Sequence, residues 1–211
     1  MLTRLHISSF IGLTIVVWLV TLWIQGNPVL SSEFVKPFSI VVSIITSIAI
    51  IFNKYAWSWK IFKNWYIKRP DLRGTWKMEL QSNWVDPNTG RQIDPIIGYV
   101  VIRQSLTFLS FRMFTQESRS KSITHTIERE DDGLYKLAVV YRNEPDISLQ
   151  GVRSEIHYGS FILNINGDPA KELQGHYWTD RTTKGSLKLT NRIKKKTISN
   201  YAEGVDEYSS D

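Results

Sequence analysis

Residues 74–84 read Gly-Thr-Trp-Lys-Met-Glu-Leu-Gln-Ser-Asn-Trp. Trp76, Met78 and Leu80 alternate with Lys77, Glu79 and Gln81, the period-two pattern of a strand with one buried face. Downstream, the turn-rich stretch 85–95 (VDPNTGRQIDP) leads into 96–105 and 106–114, which both read as strands. Residues 119–130 form another, with Ser120, Ser122, Thr124 and Thr126 at alternate positions. Asp131, Asp132 and Gly133 make a hairpin turn before 135–143 (YKLAVVYRN). Residues 154–165 and 172–181 flank a turn at Asn166-Gly167-Asp168-Pro169, and 185–196 close the series.

The reading is about eight short strands with no convincing helix between them. Short turns favour antiparallel neighbours, because parallel strands need long crossovers. The predicted fold of residues 74–196 is therefore an eight-stranded antiparallel up-and-down β-barrel, whose interior suits one small ligand. A β-sandwich is the competing all-β arrangement. The segment 197–211 carries four acids and no base and is predicted to be a flexible tail.

Upstream of Gly74 the pattern is apolar. Residues 7–24 and 38–52 are uncharged, and a bilayer span needs about 20 mostly apolar residues. The first run nearly meets that length; the second meets it by extending through Lys36 or towards Trp57. A signal peptide is the bland alternative, but no A-x-A-like cleavage site follows the first run. The expectation is a hairpin of two transmembrane helices within 1–57, at about 7–24 and 36–57, turning near Gly26, Asn27 and Pro28. Residues 58–73 form a basic, aromatic juxtamembrane linker. Trp57, Ile61 and Trp65 are predicted to line one stripe of a cytoplasmic extension of the second helix.

Residues 53–73 hold six basic groups and one acid, whereas 74–211 hold eighteen of each. The net charge of +6 is thus focused beside the apolar runs, where anionic headgroups attract it, and does not form a DNA- or RNA-binding stripe. Basic flanks stay cytoplasmic, which places the N-terminus and the barrel in the cytoplasm and the short loop outside. The absence of cysteine excludes disulfides and thiolate chemistry.

Catalytic and metal motifs are missing. His125, His157 and His176 fall on separate strands without acidic partners at ligand spacing, and no G-x-S-x-G or Walker A sequence is present. A better constellation lies in the second half. Alternation groups Tyr177, Thr179 and Arg181 on one face, and Leu137, Val139, Tyr141 and Asn143 on another. Such a face either points to water or lines a cavity for a polar ligand, since buried polar groups need partners. Aromatic rings stack on bases and Arg neutralises phosphate. Arg112 either reaches into the barrel or lies at its rim, and Trp76 after Gly74 either closes one end of a ligand-binding barrel or is a core residue.

The order of the apolar hairpin, RPDLRGTW with SNW, Tyr141-Arg142-Asn143-Glu144-Pro145, His157 with Gly159, and GHYWTDR followed by Gly185 resembles a known family. It is similar to the two-transmembrane, β-strand-rich CD-NTase-associated effectors of CBASS, the bacterial antiphage signalling systems. The resemblance implies a non-enzymatic effector whose barrel binds a cyclic dinucleotide without cofactor or metal. Binding then promotes homo-oligomerisation and disruption of the inner membrane, killing the infected cell. Motif position and strand parity carry the expected ligand contacts over to Tyr141, Asn143, Tyr177, Thr179 and Arg181, and Arg112 and Trp76 remain further ligand-binding candidates from the strands themselves. A membrane-anchored lipid or nucleotide hydrolase, or a protein-binding module with a filled barrel, are the alternatives.

Overall fold

The computed structural model describes residues 4–26, 32–63, 65–86, 89–152, 154–194 and 197–209. The expected turn at Asn27 and Pro28 lies outside them. The chain divides into two compact units, Met1–Arg69 with Ser105–Thr107, and Pro70–Gln104 with Phe108–Asp211.

The first unit contains α1 (Arg4–Ile24) and α2 (Phe38–Lys54). α1 is long and apolar enough to cross a membrane. α2, with 17 residues, rises only about 25 Å and is shorter than a typical hydrocarbon core. Trp18 of α1 donates its indole N–H to the Phe34 carbonyl at 3.1 Å and stacks on Phe34 in the 3-10 turn before α2. It also packs edge-on against Phe38 of α2, with Leu22, Val41 and Ile45 buried. Elsewhere their apolar side chains are largely exposed, Phe10 and Ile11 by about half. Ser43 and Ser47 donate back to the carbonyls four residues earlier, which satisfies their hydroxyls within α2.

The expected helical extension is absent. α2 ends at Lys54, and a short 3-10 turn spans Ala56–Ser58. Trp57 is buried while Ile61 and Trp65 are exposed, so they share no stripe. The chain instead folds back: Phe62 and Tyr66 pack edge-on against Phe52, and the His6 ring bonds the Tyr66 carbonyl at 2.8 Å. Aromatic packing within the unit outweighs continuation of a helix into water.

The second unit is a closed barrel of β1 (Gly74–Ser82), β2 (Ile96–Gln104), β3 (Leu109–Phe114), β4 (Ser118–Arg129), β5 (Tyr135–Pro145), β6 (His157–Asn166), β7 (Glu172–Thr179) and β8 (Lys184–Ile193). Each strand pairs antiparallel with the next, and β8 returns to β1. The predicted fold class holds. The alternation in β4 does not run through: a bulge between Ser122 and Thr124 leaves Ser120 and Ser122 opposite Asn143 and Tyr141, but places His125 and Ile127 opposite the core residues Val139 and Leu137.

The lumen is filled rather than open. Phe111, Phe161, Leu163, Leu173, Leu187 and Met78 are fully buried within it, and Phe111 and Phe161 rings meet at 4.8 Å. An interior with room for a ligand along its length is thus not what the barrel has. Eight strands enclose a space that side chains just fill.

One end is closed by residues 70–73. The Trp76 indole donates to the Leu72 carbonyl at 3.0 Å, and Leu72 N–H donates to Gln104 Oε1 at 2.8 Å. The buried Arg192 lies over the Trp76 ring, pairs with Asp71 at 3.2 Å and donates to the Arg73 carbonyl. Burial alone would disfavour the Asp71 carboxylate. Hydrogen bonds and charge from Arg73, with the charge of Arg192, outweigh it and hold its pKa below the ordinary value.

The acidic tail is not a flexible extension: α3 (Tyr201–Ser209) is a helix. Asn200 Oδ1 accepts from Glu203 N–H at 2.9 Å, while the Glu203 carboxylate accepts from Ser199 N–H at 2.8 Å, a reciprocal N-terminal cap. Tyr201 and Tyr208 pack on Tyr99, over an outer apolar face that also holds Val101, Phe114 and Ile198. Composition pointed to disorder; the cap and the two tyrosines seven residues apart override it.

Candidate functional site

The end of the barrel opposite Trp76 is polar. It gathers the last residues of β1, β3, β5 and β7 and the first of β2, β4, β6 and β8, as the antiparallel order requires. Tyr141 points inward from β5, directly opposite Gly159, and Tyr177 points inward from β7, directly opposite Gly185. Neither glycine has room for a side chain. A Cβ at Gly159 would lie 2.4 Å from Tyr141 Cζ and Oη, and one at Gly185 would lie 2.9 Å from Tyr177 Cε1. Each ring thus lies across a cross-strand glycine.

Both phenols are held neutral. Burial pushes Tyr141 far up, with Tyr177 and Asp180 adding and Arg181 opposing. Burial likewise raises Tyr177, against a hydrogen bond from Ser82 and the charge of Arg181. The Tyr141 ring stands 5.9 Å from Phe161, which forms the floor beneath it.

Asn143 extends the same face. Its Nδ2 donates to Ser118 Oγ at 3.0 Å and Ser120 Oγ at 2.9 Å, while its Oδ1 is buried without a hydrogen-bond partner. Opposite it, the buried His157 donates from Nδ1 to the Glu155 carbonyl at 3.0 Å. Burial lowers the His157 pKa; the Glu155 carbonyl opposes that, and the charge of Arg181 adds to it. Thr179, opposite Gly159 from β7, shares a 2.7 Å hydrogen bond with Thr183. The exposed Arg181 donates to Ser154 Oγ at 3.0 Å. Asp180 anchors the rim by accepting from Tyr158 N–H at 3.0 Å.

Tyr141, Asn143, Tyr177, Thr179 and Arg181 therefore converge at one end, while two other sequence candidates do not join them. Trp76 lies at the opposite end, with its polar atom committed to Leu72. Arg112 pairs with Val101 and Lys121 on the outer wall, because β3 turns Leu109, Phe111 and Met113 inward. Sequence reasoning missed Ser82, Ser120 and His157 as site residues. Ser120 and His157 become visible once the pairing is known, since both lie directly opposite Asn143.

The mouth can accept and donate hydrogen bonds, offer aromatic edges and supply the exposed guanidinium of Arg181. No group of three or more His, Asp or Glu side chains able to hold a metal occurs among the described residues. The fold and this end define a small closed barrel with one polar mouth. Residues 67–191 match the family described as "Cap15, cyclic dinucleotide receptor domain". The chain is 26% identical over 184 residues to the CD-NTase-associated protein 15 of Staphylococcus schleiferi, covering 87% of this chain and 94% of that one. It is 27% identical over 191 residues to the protein of that name from Yersinia aleksiciae, covering 87% and 83%. The chain belongs to the Cap15 cyclic dinucleotide receptor family, the β-barrel effectors of CBASS.

Proposed function

We propose that the barrel binds a cyclic dinucleotide across its polar mouth and that the bound state self-associates through the membrane-embedded helices, disrupting the inner membrane. The observation that carries this reading is the convergence of Tyr141, Tyr177 and the unpartnered Asn143 Oδ1 at one end of a barrel whose remaining interior is filled. Neutral phenols and an amide oxygen suit the edges of nucleobases, and Arg181 suits a phosphate. The ligand meets the strand ends, above Phe161, rather than sinking along the axis.

Ligand shifts the assembly equilibrium only if the assembled state binds it better. α1 spans the bilayer, and the shorter α2 spans it with local thinning, which costs fractions of a kcal/mol per Å. Both ends are cytoplasmic, and the effect is exerted without catalysis. Cell death before phage matures is the biological outcome.

A second reading has one observation in its favour. The filled lumen is what a protein-binding module would show, with ligand specificity lying elsewhere. Dye release from liposomes carrying the full chain separates the two. Addition of single cyclic dinucleotides, one at a time, is expected to trigger release for one or a few of them. Absence of both binding and release across the panel would sink the receptor reading at this mouth.

A further inference from the structure

The outer wall of β2 and β3 carries a second polar feature that the mouth does not use. Arg103 lies opposite Ser110, and Arg112 lies two residues further along β3, so the two arginines are diagonal neighbours. Backbones at that relation stand about 7–8 Å apart, a span that two long guanidinium side chains close around one small anion. Lys121 lies directly opposite Arg112 on β4.

Several cations of the barrel have acids. Arg119 and Arg142 pair with Glu144, Lys136 with Glu130, Lys188 with Glu172, and Arg192 with Asp71. Among the described residues, Arg103, Arg112 and Lys121 have no acidic partner within ion-pair distance. Like charges directly across a strand pair destabilise a sheet unless something neutralises them.

Between these side chains and the segment leading to α3 is a cleft of about 80 Å³, lined by Val101, Arg103, Ser110, Arg112 and residues 197–199. It offers hydroxyl groups from Ser110, Thr197 and Ser199 beside the two guanidiniums and has no carboxylate in its lining. The volume admits a tetrahedral oxyanion but is well below the 300 Å³ or so of a whole-ligand pocket. In the sequence, Lys194, Lys195 and Lys196 immediately precede Thr197. Ile198 is buried against Tyr99, Val101 and Phe114, so the cleft's third wall is the segment that lays α3 on the barrel.

We propose that Arg103 and Arg112, with Ser110, Thr197 and Ser199, form a site for one phosphate group on the outer wall of the barrel, distinct from the mouth. The phosphate belongs either to a lipid headgroup or to a small soluble phosphate. Its binding ties β2 and β3 to the segment before α3.

The test uses the full chain in neutral detergent, titrated with inorganic phosphate at constant ionic strength and followed by the thermal unfolding midpoint. A saturable rise is expected. The paired variant Arg103→Gln with Arg112→Gln is expected to weaken it about tenfold or more, the scale of losing hydrogen bonds to a charged group. Both side chains are exposed, so this variant keeps its fold, checked by circular dichroism. Arg91→Gln with Arg129→Gln removes equal charge elsewhere and is expected to leave the response unchanged. A short-chain phosphatidic acid that displaces inorganic phosphate at lower concentration identifies a lipid source; weaker displacement identifies a soluble one. An undiminished response in the Arg103/Arg112 variant, an equal loss in the control, or no saturable response in the parent overturns the site. Cyclic dinucleotide binding measured on the same variant is expected to be intact. Its loss would instead transfer the messenger to this cleft and overturn both assignments.

Discussion

The Tyr141 ring lies across Gly159, so close that a methyl group there would sit 2.4 Å from its Cζ and Oη. The glycine lets an aromatic side chain lie flat on the facing strand instead of standing into the lumen. Tyr177 and Gly185 repeat the device two strands away, and together the rings roof the packed interior.

The two glycines differ in what surrounds them. Gly159→Ala meets the far end of a side chain, which swings aside; a loss of about 1–3 kcal/mol is expected, with weaker ligand binding from a displaced Tyr141. Gly185→Ala meets the Gln81 carbonyl at 1.8 Å, part of the β1–β8 seam, and the backbone itself has to part. Thermal unfolding of the two variants is expected to rank Gly185→Ala well below Gly159→Ala. Equal losses would remove the distinction between ring and backbone.

Arg181 tests the mouth without touching the fold. It is exposed, and its guanidinium donates one hydrogen bond, to Ser154 Oγ. Arg181→Glu is expected to abolish cyclic dinucleotide binding in a direct titration while shifting the unfolding midpoint by no more than a typical surface substitution, within about 0.5 kcal/mol. Unchanged affinity would take Arg181 out of the site.

The strands and their order were legible because Trp76, Met78 and Leu80 alternate against Lys77, Glu79 and Gln81, and short turns separate the runs. The convergence of Tyr141, Asn143, Tyr177, Thr179 and Arg181 followed from the same parity. Arg112 could not be placed that way. β3 carries buried aromatics on both faces, since Phe114 on the outer face is buried under α3 beside Ser110 and Arg112 while Phe111 and Met113 fill the lumen. The β4 bulge is also silent in the sequence, because Ser122 and Thr124 are equally small and polar on either side of it. Barrel closure was legible, but how full the lumen is depends on ring placement at Phe111 and Phe161, which alternation does not encode.

His157 gives the stability a pH dependence. Burial depresses its folded pKa below the ordinary value of 6.5, so the unfolded chain takes up the proton first. This contribution is fully present above about pH 6.5 and is lost as pH falls towards the folded pKa. His157→Asn offers an amide donor in place of Nδ1 and does not titrate there. Below about pH 6.5 the wild-type unfolding midpoint is expected to fall more steeply than that of the variant. Parallel curves would show that the folded barrel binds the His157 proton as readily as the unfolded chain does.

α3 is held by a hydroxyl as well as by ring packing. Tyr208 Oη donates to the Thr75 carbonyl at 2.9 Å and to the Asn191 carbonyl at 2.8 Å, beside the irregularity where β1 slips against β8. One proton cannot serve both acceptors fully, so the pair is a shared bond. Tyr208→Phe keeps the stacking on Tyr99 and is expected to cost about 1 kcal/mol. Tyr208→Ala also removes the stacking and is expected to release α3, seen as faster amide exchange in Tyr201–Ser209 and on β2 around Tyr99. A Tyr208→Ala chain that exchanges like the parent would mean that Ile198 and Tyr201 hold the helix by themselves, and that the hydroxyl serves the β1–β8 seam rather than α3.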